Sequence, residues 1–206
     1  MEDLQQFLDE SSRHHNHLCP RQILGVRLGL MGIRQLELEP SRGSKRLLII
    51  SETDGCFVDG ISAATGSTVG HRTLRIDDYG KTAATFVDTK TGRAVRVAPT
   101  LDIRERTYAF VPGESRHYFA QMQAYQVMPD AAMFTAQAVI LNVSIEQIVS
   151  RPGQRLECDM CGEEIMNERE IHENGLSLCV TCAHGGYYTA AKIAQVQYTL
   201  EQFAVV

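Results

Sequence analysis

The stretch Arg46-Leu-Leu-Ile-Ile-Ser51-Glu-Thr-Asp-Gly-Cys56-Phe-Val-Asp59-Gly-Ile-Ser-Ala-Ala-Thr65-Gly66 decides the fold. Residues 46–51 form a short continuous apolar run, the mark of a buried strand. Residues 55–66 then read as a helix held between two glycines, with Phe57, Ile61 and Ala64 facing inward. Upstream, Leu4, Phe7 and Leu8 fall at helical spacing, and Pro20 stands where a first-turn residue needs no backbone donor. Ile23, Leu24, Arg27, Leu28, Met31 and Leu36 continue a largely apolar helix from it. Downstream, residues 74–77 and 81–88 read as strands, and Thr89-Lys90-Thr91-Gly92 as a hairpin turn into a strand over 93–98. Residues 113–126 and 129–136 have helical patterns, and residues 138–143 return as a strand. This mixed order predicts an α+β class, with a mixed or antiparallel sheet and flanking helices. Arg151-Pro152-Gly153-Gln154 marks a boundary between a domain over 1–150 and a module over 151–206 that ends in a helix over 189–203.

All six cysteines fall in two places. Cys158-Asp-Met-Cys161 and Cys179-Val-Thr-Cys182 are separated by 17 residues, which is zinc-ribbon spacing. Each CxxC knuckle supplies two thiolates from a tight turn, and zinc takes four in a tetrahedron. Gly162 gives the backbone the freedom to wrap the ion. A structural zinc at Cys158, Cys161, Cys179 and Cys182 is therefore expected. A redox CxxC lacks its strand-to-helix setting here. His184 is a possible substitute ligand, and a surface histidine is its plainer reading. This segment resembles zinc fingers of the DksA/TraR type, which implies a small treble-clef-like unit.

The other two cysteines sit near histidines. If residues 14–19 run extended into Pro20, His15, His17 and Cys19 alternate onto one face, with alternate residues about 7 Å apart. Cys19 would then lie at a helix N-terminus, which favours thiolate. Imidazole and thiolate together suit zinc, iron, nickel or copper. Cys56 follows the strand at 46–51. The bland alternative is a polar cap with surface histidines and cysteine as core filler. Asp54, Tyr79 and Lys81 are weak candidates for catalytic groups. Among Asp54, Asp59, Asp77 and Asp78, one could orient a ligating imidazole, and solvated loop carboxylates are the default.

His15-Asn-His17-Leu-Cys19-Pro20, Glu52-Thr-Asp-Gly-Cys-Phe-Val-Asp59, Thr65-Gly66, Asp78-Tyr-Gly-Lys81 and Thr91-Gly-Arg-Ala-Val-Arg-Val97 resemble the FmdE family, the E-type component of formylmethanofuran dehydrogenase. The resemblance runs through about residues 11–100 and resumes in the cysteine finger. It implies a dimeric α+β metal-binding domain linked by name to molybdenum or tungsten formylmethanofuran dehydrogenase. Against the family's HGHxCPG, His15, His17, Cys19 and Pro20 match, while Asn16 and Arg21 stand where glycines are usual. Cys56 matches the family's cysteine after Thr-Asp. Ser67 replaces a further cysteine after Thr-Gly, which leaves a mixed nitrogen and sulfur site.

Bulk properties bound the function. The chain has 206 residues, 44% hydrophobic and 22% charged, as in an ordinary globular protein. MEDLQQFLDE has neither a basic nor an apolar signal region, and no apolar stretch approaches a bilayer's thickness. A cytoplasmic protein is expected. Its net charge of −5 counts against a general polyanion binder. Residues 151–187 hold three Arg/Lys and seven Asp/Glu, a net −4, and four thiolates around Zn²⁺ would add about −2. No nucleic-acid partner is expected for so acidic a finger. The functional expectation is a metal-binding accessory or carrier around a molybdenum or tungsten oxidoreductase, a homodimer with structural zinc in the finger and zinc or another transition metal at His15, His17, Cys19 and Cys56. A stand-alone metalloenzyme with an open coordination position and a regulatory protein-interaction module are the alternatives.

Overall fold

The computed structural model describes residues 4–13, 15, 17–40, 44–149 and 153–189, and among these the side chain of Gln147 is left aside. Two compact units divide the chain, Met1–Val149 and Ser150–Val206. No described helix is long and apolar enough to cross a membrane.

The first unit runs α1 (Leu4–Ser12), α2 (Pro20–Gln35), β1 (Leu47–Ser51), α3 (Cys56–Thr65), β2 (Leu74–Ile76), β3 (Ala84–Asp88), β4 (Ala94–Pro99), α4 (Ile103–Phe110), α5 (His117–Val127), α6 (Asp130–Met133), β5 (Phe134–Val139) and α7 (Ile145–Val149). Its five strands are ordered β2-β1-β3-β4-β5. β1 pairs parallel with β2, and the β1–β3, β3–β4 and β4–β5 pairs are antiparallel. One face of the sheet carries the main core. Ile49, Phe86, Val95 and Val97 pack there with Ile23, Val26, Phe57 and Ile61 of α2 and α3. The other face holds a smaller cluster of Leu48, Val87 and Ala94, covered by Leu141, Ile145 and Ile148. Both faces are thus buried, which is why β1 reads as unbroken Leu-Leu-Ile-Ile rather than alternating.

α2 and α3 run in the same direction with their backbones almost touching. A Cβ on Gly25 would stand 2.1 Å from the Phe57 carbonyl oxygen, and one on Gly60 would stand 2.3 Å from the Gln22 carbonyl oxygen. Further along, Gly29 faces Ala64 and Thr65. Only residues without a Cβ permit this approach, and it brings the two N-termini to one end of the unit. Gly66 closes α3 in the left-handed region at φ 72°, where glycine carries no steric penalty.

Ion pairs tie the periphery to this core. The Arg27 guanidinium donates to the carbonyls of Tyr125 (2.8 Å) and Met128 (2.6 Å) at the end of α5, and to Asp130 Oδ1 (2.7 Å). Asp88, 2% exposed, accepts from Arg46 Nε (3.1 Å) and Nη2 (3.0 Å), and from the Lys90 amide of the hairpin turn (3.0 Å). The Arg46 hydrogen bond, before any other cause, pulls the Asp88 carboxyl down to about 2. A depressed carboxylate stabilises the fold above its unfolded pKa near 4 and loses that contribution as pH falls toward 2. Since Arg46 is half exposed, the effect is discounted to about 1 kcal/mol. Asp88→Asn is expected to flatten the acid limb of a stability-against-pH curve between about pH 4 and 2. An unchanged limb in chemical denaturation would refute this role.

Four sequence expectations shift, the first being that the helix expected over 113–126 is α5 and begins only at His117. The strand expected at 138–143 is β5 at Phe134–Val139, because Phe134 pairs with Pro99 and the register runs from there to the Ala94–Val139 pair. The helical pattern at 129–136 shrinks to the single turn of α6, and the apolar Leu141 packs on the smaller cluster from a loop. Residues 81–83, read as strand, form a connection whose Lys81 amide donates to the Glu52 carbonyl (3.1 Å). The helix expected at 189–203 lies outside the described residues beyond 189.

The second unit contains two hairpins, β6 (Arg155–Glu157) with β7 (Glu164–Met166), and β8 (Ile171–Glu173) with β9 (Leu176–Leu178), followed by α8 (Val180–His184). Its apolar core has only Cys158, Ile165 and Leu178 as buried members among the described residues, too few to hold so small a unit without a staple.

Candidate metal centres

In the second unit, the first knuckle begins where β6 ends. The Cys158 amide donates to the Glu163 carbonyl (2.9 Å), the Gly162 amide to the Cys158 carbonyl (2.9 Å), and Gly162 takes φ 76°. The second knuckle leads into α8, with Cys179 as its N-cap. The Cys179 Sγ accepts from the Cys182 amide (3.4 Å), and the Cys158 Sγ accepts from the Cys179 amide (3.2 Å). Asp159 joins the two loops, donating through its amide to the Ser177 carbonyl and accepting the Ser177 amide at Oδ2.

All four sulfurs lie within 4.8 Å of one another, and Cys161 and Cys179 stand 3.9 Å apart. A tetrahedron with Zn–S near 2.3 Å requires sulfurs about 3.8 Å apart, so the cluster fits zinc closely. The thiols do not titrate alike. Hydrogen bonds from the Cys161 and then the Cys179 backbone pull Cys158 down to about 6, while the side-chain hydrogen bond to Cys179 leads in pushing Cys182 up to about 12. Four crowded sulfurs cannot all ionise beside one another unless a cation offsets their charge. His184, the C-terminal residue of α8, is exposed and outside this group.

At the N-terminal site, the glycine-mediated crossing sets the geometry. Cys19 is the N-cap of α2 and Cys56 the first residue of α3, so the parallel helices present both thiols at one end, facing two positive dipole ends. The thiols interact. Burial, followed by the side-chain hydrogen bond and charge of Cys19, raises the Cys56 pKa. Buried Gln22 fixes the Cys19 backbone, accepting its amide at Oε1 (2.8 Å) while donating to the Ser11 carbonyl (2.9 Å).

His15 does not lie on an extended segment as expected. Its amide donates to the Ser12 carbonyl (3.0 Å), so the chain turns as it leaves α1. Instead, His15 Nε2 meets Asp59 Oδ2 at 2.6 Å, one turn along α3 from Cys56. With the proton on Nε2, the Nδ1 lone pair is left available, the arrangement in which a carboxylate orients a ligating imidazole. His17 is exposed. Among the described residues, only the four finger cysteines bring three or more ligand atoms within 4.8 Å of one another. Cys19 and Cys56 thus stand at the adjoining starts of α2 and α3, with His15 held by Asp59 of the same α3.

The remaining candidates scatter. Asp54 is exposed. Tyr79 is 70% exposed, and the Tyr79 and Lys81 amides both donate to the Glu52 carbonyl (3.0 and 3.1 Å). Asp77 pairs with Arg75, and Asp78 accepts the Gly80 amide. Ser67 is buried just beyond the far end of α3, about 15 Å from Cys56 by helix rise. Its lost thiol therefore removes nothing from the Cys19–Cys56 end. Sequence reasoning gave Asp59 no preference over its neighbours, since its contact with His15 spans 44 residues.

Comparison with known proteins agrees with this architecture. The family described as "FmdE, Molybdenum formylmethanofuran dehydrogenase operon" matches residues 14–135, and the "Prokaryotic dksA/traR C4-type zinc finger" matches residues 151–188. A solved structure similar to this chain is a tungsten formylmethanofuran dehydrogenase FmdE-like protein from Syntrophus aciditrophicus. Its TM-score is 0.58 at 20% identity, over 90% of this chain and 95% of that one, a likeness of fold. A curated relative from Archaeoglobus fulgidus, called a "Probable S-adenosyl-L-methionine-binding protein", is 35% identical over 97 residues. That match covers 46% of this chain and spans about a quarter (26%) of the relative's length. With its first unit matched across most of its length and a four-cysteine finger behind it, the chain belongs to the FmdE family and is a metal-binding protein of that family.

Proposed function

We propose that the first unit binds one transition-metal ion where α2 and α3 begin, with Cys19 and Cys56 as thiolate ligands and His15 Nδ1 as imidazole ligand. The observation that carries this reading is the placement of Cys19 and Cys56 at neighbouring helix starts brought together by the glycine crossing, beside a histidine already oriented by Asp59. His17, exposed two residues along, supplies a fourth ligand or leaves that position to an exchangeable one. Such a donor set fits zinc and its borderline neighbours, and a bound ion there would supply Lewis-acid or carrier chemistry. The chain's residues do the rest. Gln22 holds the Cys19 backbone, Asp59 fixes the imidazole, and the glycine crossing sets the distance between the thiols.

The role that fits is accessory, a metal-binding partner of a molybdenum or tungsten oxidoreductase, acting in the cytoplasm as a homodimer. The family's description supports the oxidoreductase setting. β5, a sheet edge whose residues 135–138 are exposed, followed by Ile140 at 94% exposure, offers an apolar margin for a partner. Light scattering and co-purification with the dehydrogenase test these two points.

Metal content of the purified protein tests the site itself. The native chain is expected to carry two metal ions, and Cys19→Ser and Cys56→Ser one each with unchanged circular dichroism. Asp59→Asn is expected to weaken the first site about 10- to 100-fold, the usual effect of losing a carboxylate that orients a ligand. Two ions retained in both cysteine variants would contradict the reading.

A further inference from the structure

Beside the N-terminus of α2 opens a cleft of about 700 Å³, large enough to enclose a small organic molecule. Its charged lining comes from four separate elements: Arg21 of α2, Lys81 of the β2–β3 connection, Arg96 of β4, and Arg104 of α4, with Glu105 as the only lining carboxylate. Arg96 is already neutralised, its Nε and Nη2 donating to Glu52 at 2.5 and 2.8 Å. Arg21, Lys81 and Arg104 make no ion pair or side-chain hydrogen bond among the described residues, and all three are exposed. They therefore form a cationic rim with one opposing carboxylate, in a chain whose net charge is −5.

Solvated surface arginines are common, but three elements converging unpaired cations on one concave site are a different arrangement. Lining the same cleft are Leu24, Ala83, Ile103 and Tyr125, each under a tenth exposed. Tyr125 is 2% exposed, and burial raises its pKa, so at neutral pH the phenol is a protonated hydrogen-bond donor. A cationic rim over apolar walls with a single phenol matches a ligand with an oxyanion at one end and an apolar body. Guanidinium groups suit carboxylate and phosphate alike, since both accept paired hydrogen bonds.

We infer that this cleft, independently of either metal centre, binds an organic anion, a carboxylate or a phosphate ester carrying an apolar or aromatic group. Arg21 and Arg104 hold the oxyanion, while Leu24, Ile103 and Tyr125 hold the body.

The chain contains no tryptophan, so naphthyl fluorescence reports binding to the full-length protein directly. The probes are 2-naphthoate, 2-naphthyl phosphate and the neutral, near-isosteric 2-naphthamide, titrated by anisotropy. At least one anion is expected to bind saturably, one per chain, about 10-fold or more tighter than the amide, and the tighter of the two identifies the oxyanion preferred. The double variant Arg21→Gln/Arg104→Gln, whose changed side chains lack structural partners, is expected to weaken that binding at least 10-fold, while Lys90→Gln on the hairpin turn leaves it unchanged. Equal affinity for anion and amide, no saturable binding, or anion binding that survives the double variant would overturn the assignment.

Discussion

Gly60→Ala is expected to cost the first unit about 3 kcal/mol or more, at the upper end of what overpacking does in a close-packed interior. The added Cβ would stand 2.3 Å from the Gln22 carbonyl oxygen and 2.7 Å from the Val26 nitrogen. Both are backbone atoms of a buried helix, so no side chain can swing aside and α2 and α3 must separate. Gly25→Ala meets the Phe57 carbonyl oxygen from the other side and is expected to behave alike. Gly92→Ala is the contrasting case. Nothing lies within 4 Å of a Cβ there, and only the φ of 75° resists substitution, a cost of about 1 kcal/mol. Denaturant midpoints followed by circular dichroism separate the two classes. A Gly60→Ala variant as stable as the native chain would mean the crossing is not held by backbone contact. Separation of the helices also moves Cys19 from Cys56, so metal at the first site is expected to fall in parallel.

Cys158→Ser is expected to unfold the second unit. Among the described residues the buried members of its apolar core are Cys158, Ile165 and Leu178, whereas zinc held by four thiolates contributes about 10–16 kcal/mol of apparent binding energy at neutral pH. The buried Cys158 sulfur also accepts the Cys179 amide, so the change disturbs both knuckles. Amides that the knuckles protect, those of Cys158, Asp159 and Ser177, are expected to exchange at rates near those of a free chain, and a zinc chelator should reproduce this in the native protein. Full protection in either experiment would contradict a structural metal. Because zinc binds thiolates, acidification is expected to release it as protons compete for the sulfurs.

Local features carried most of the architecture. Two glycines bracket residues 55–66, and both cap the resulting helix, because the left-handed stop at Gly66 is a property of one residue. Pro20 likewise opens α2, and the four finger cysteines assemble as their spacing implies. What escaped was non-local. No pattern along the chain marks Gly25 and Gly60 as partners, since the glycine requirement arises only when the two helices meet. β5 was misplaced by four residues because pairing with β4 overrode the apolar run that followed it. α4 was missed since only Ile103 and Thr107 are buried in a charged octet. At the N-terminal site the cysteines and His15 were legible by type. The turn after α1, which hands His15 to Asp59, was not.

The two-centre account is tested most directly by anomalous diffraction from crystals of the native protein, collected on both sides of the absorption edge of the metal it carries. The account predicts two peaks per chain, one enclosed by Cys158, Cys161, Cys179 and Cys182, and one between Cys19 and Cys56 within bonding distance of His15 Nδ1. A single peak in the finger, with Cys19 and Cys56 bare, would contradict it.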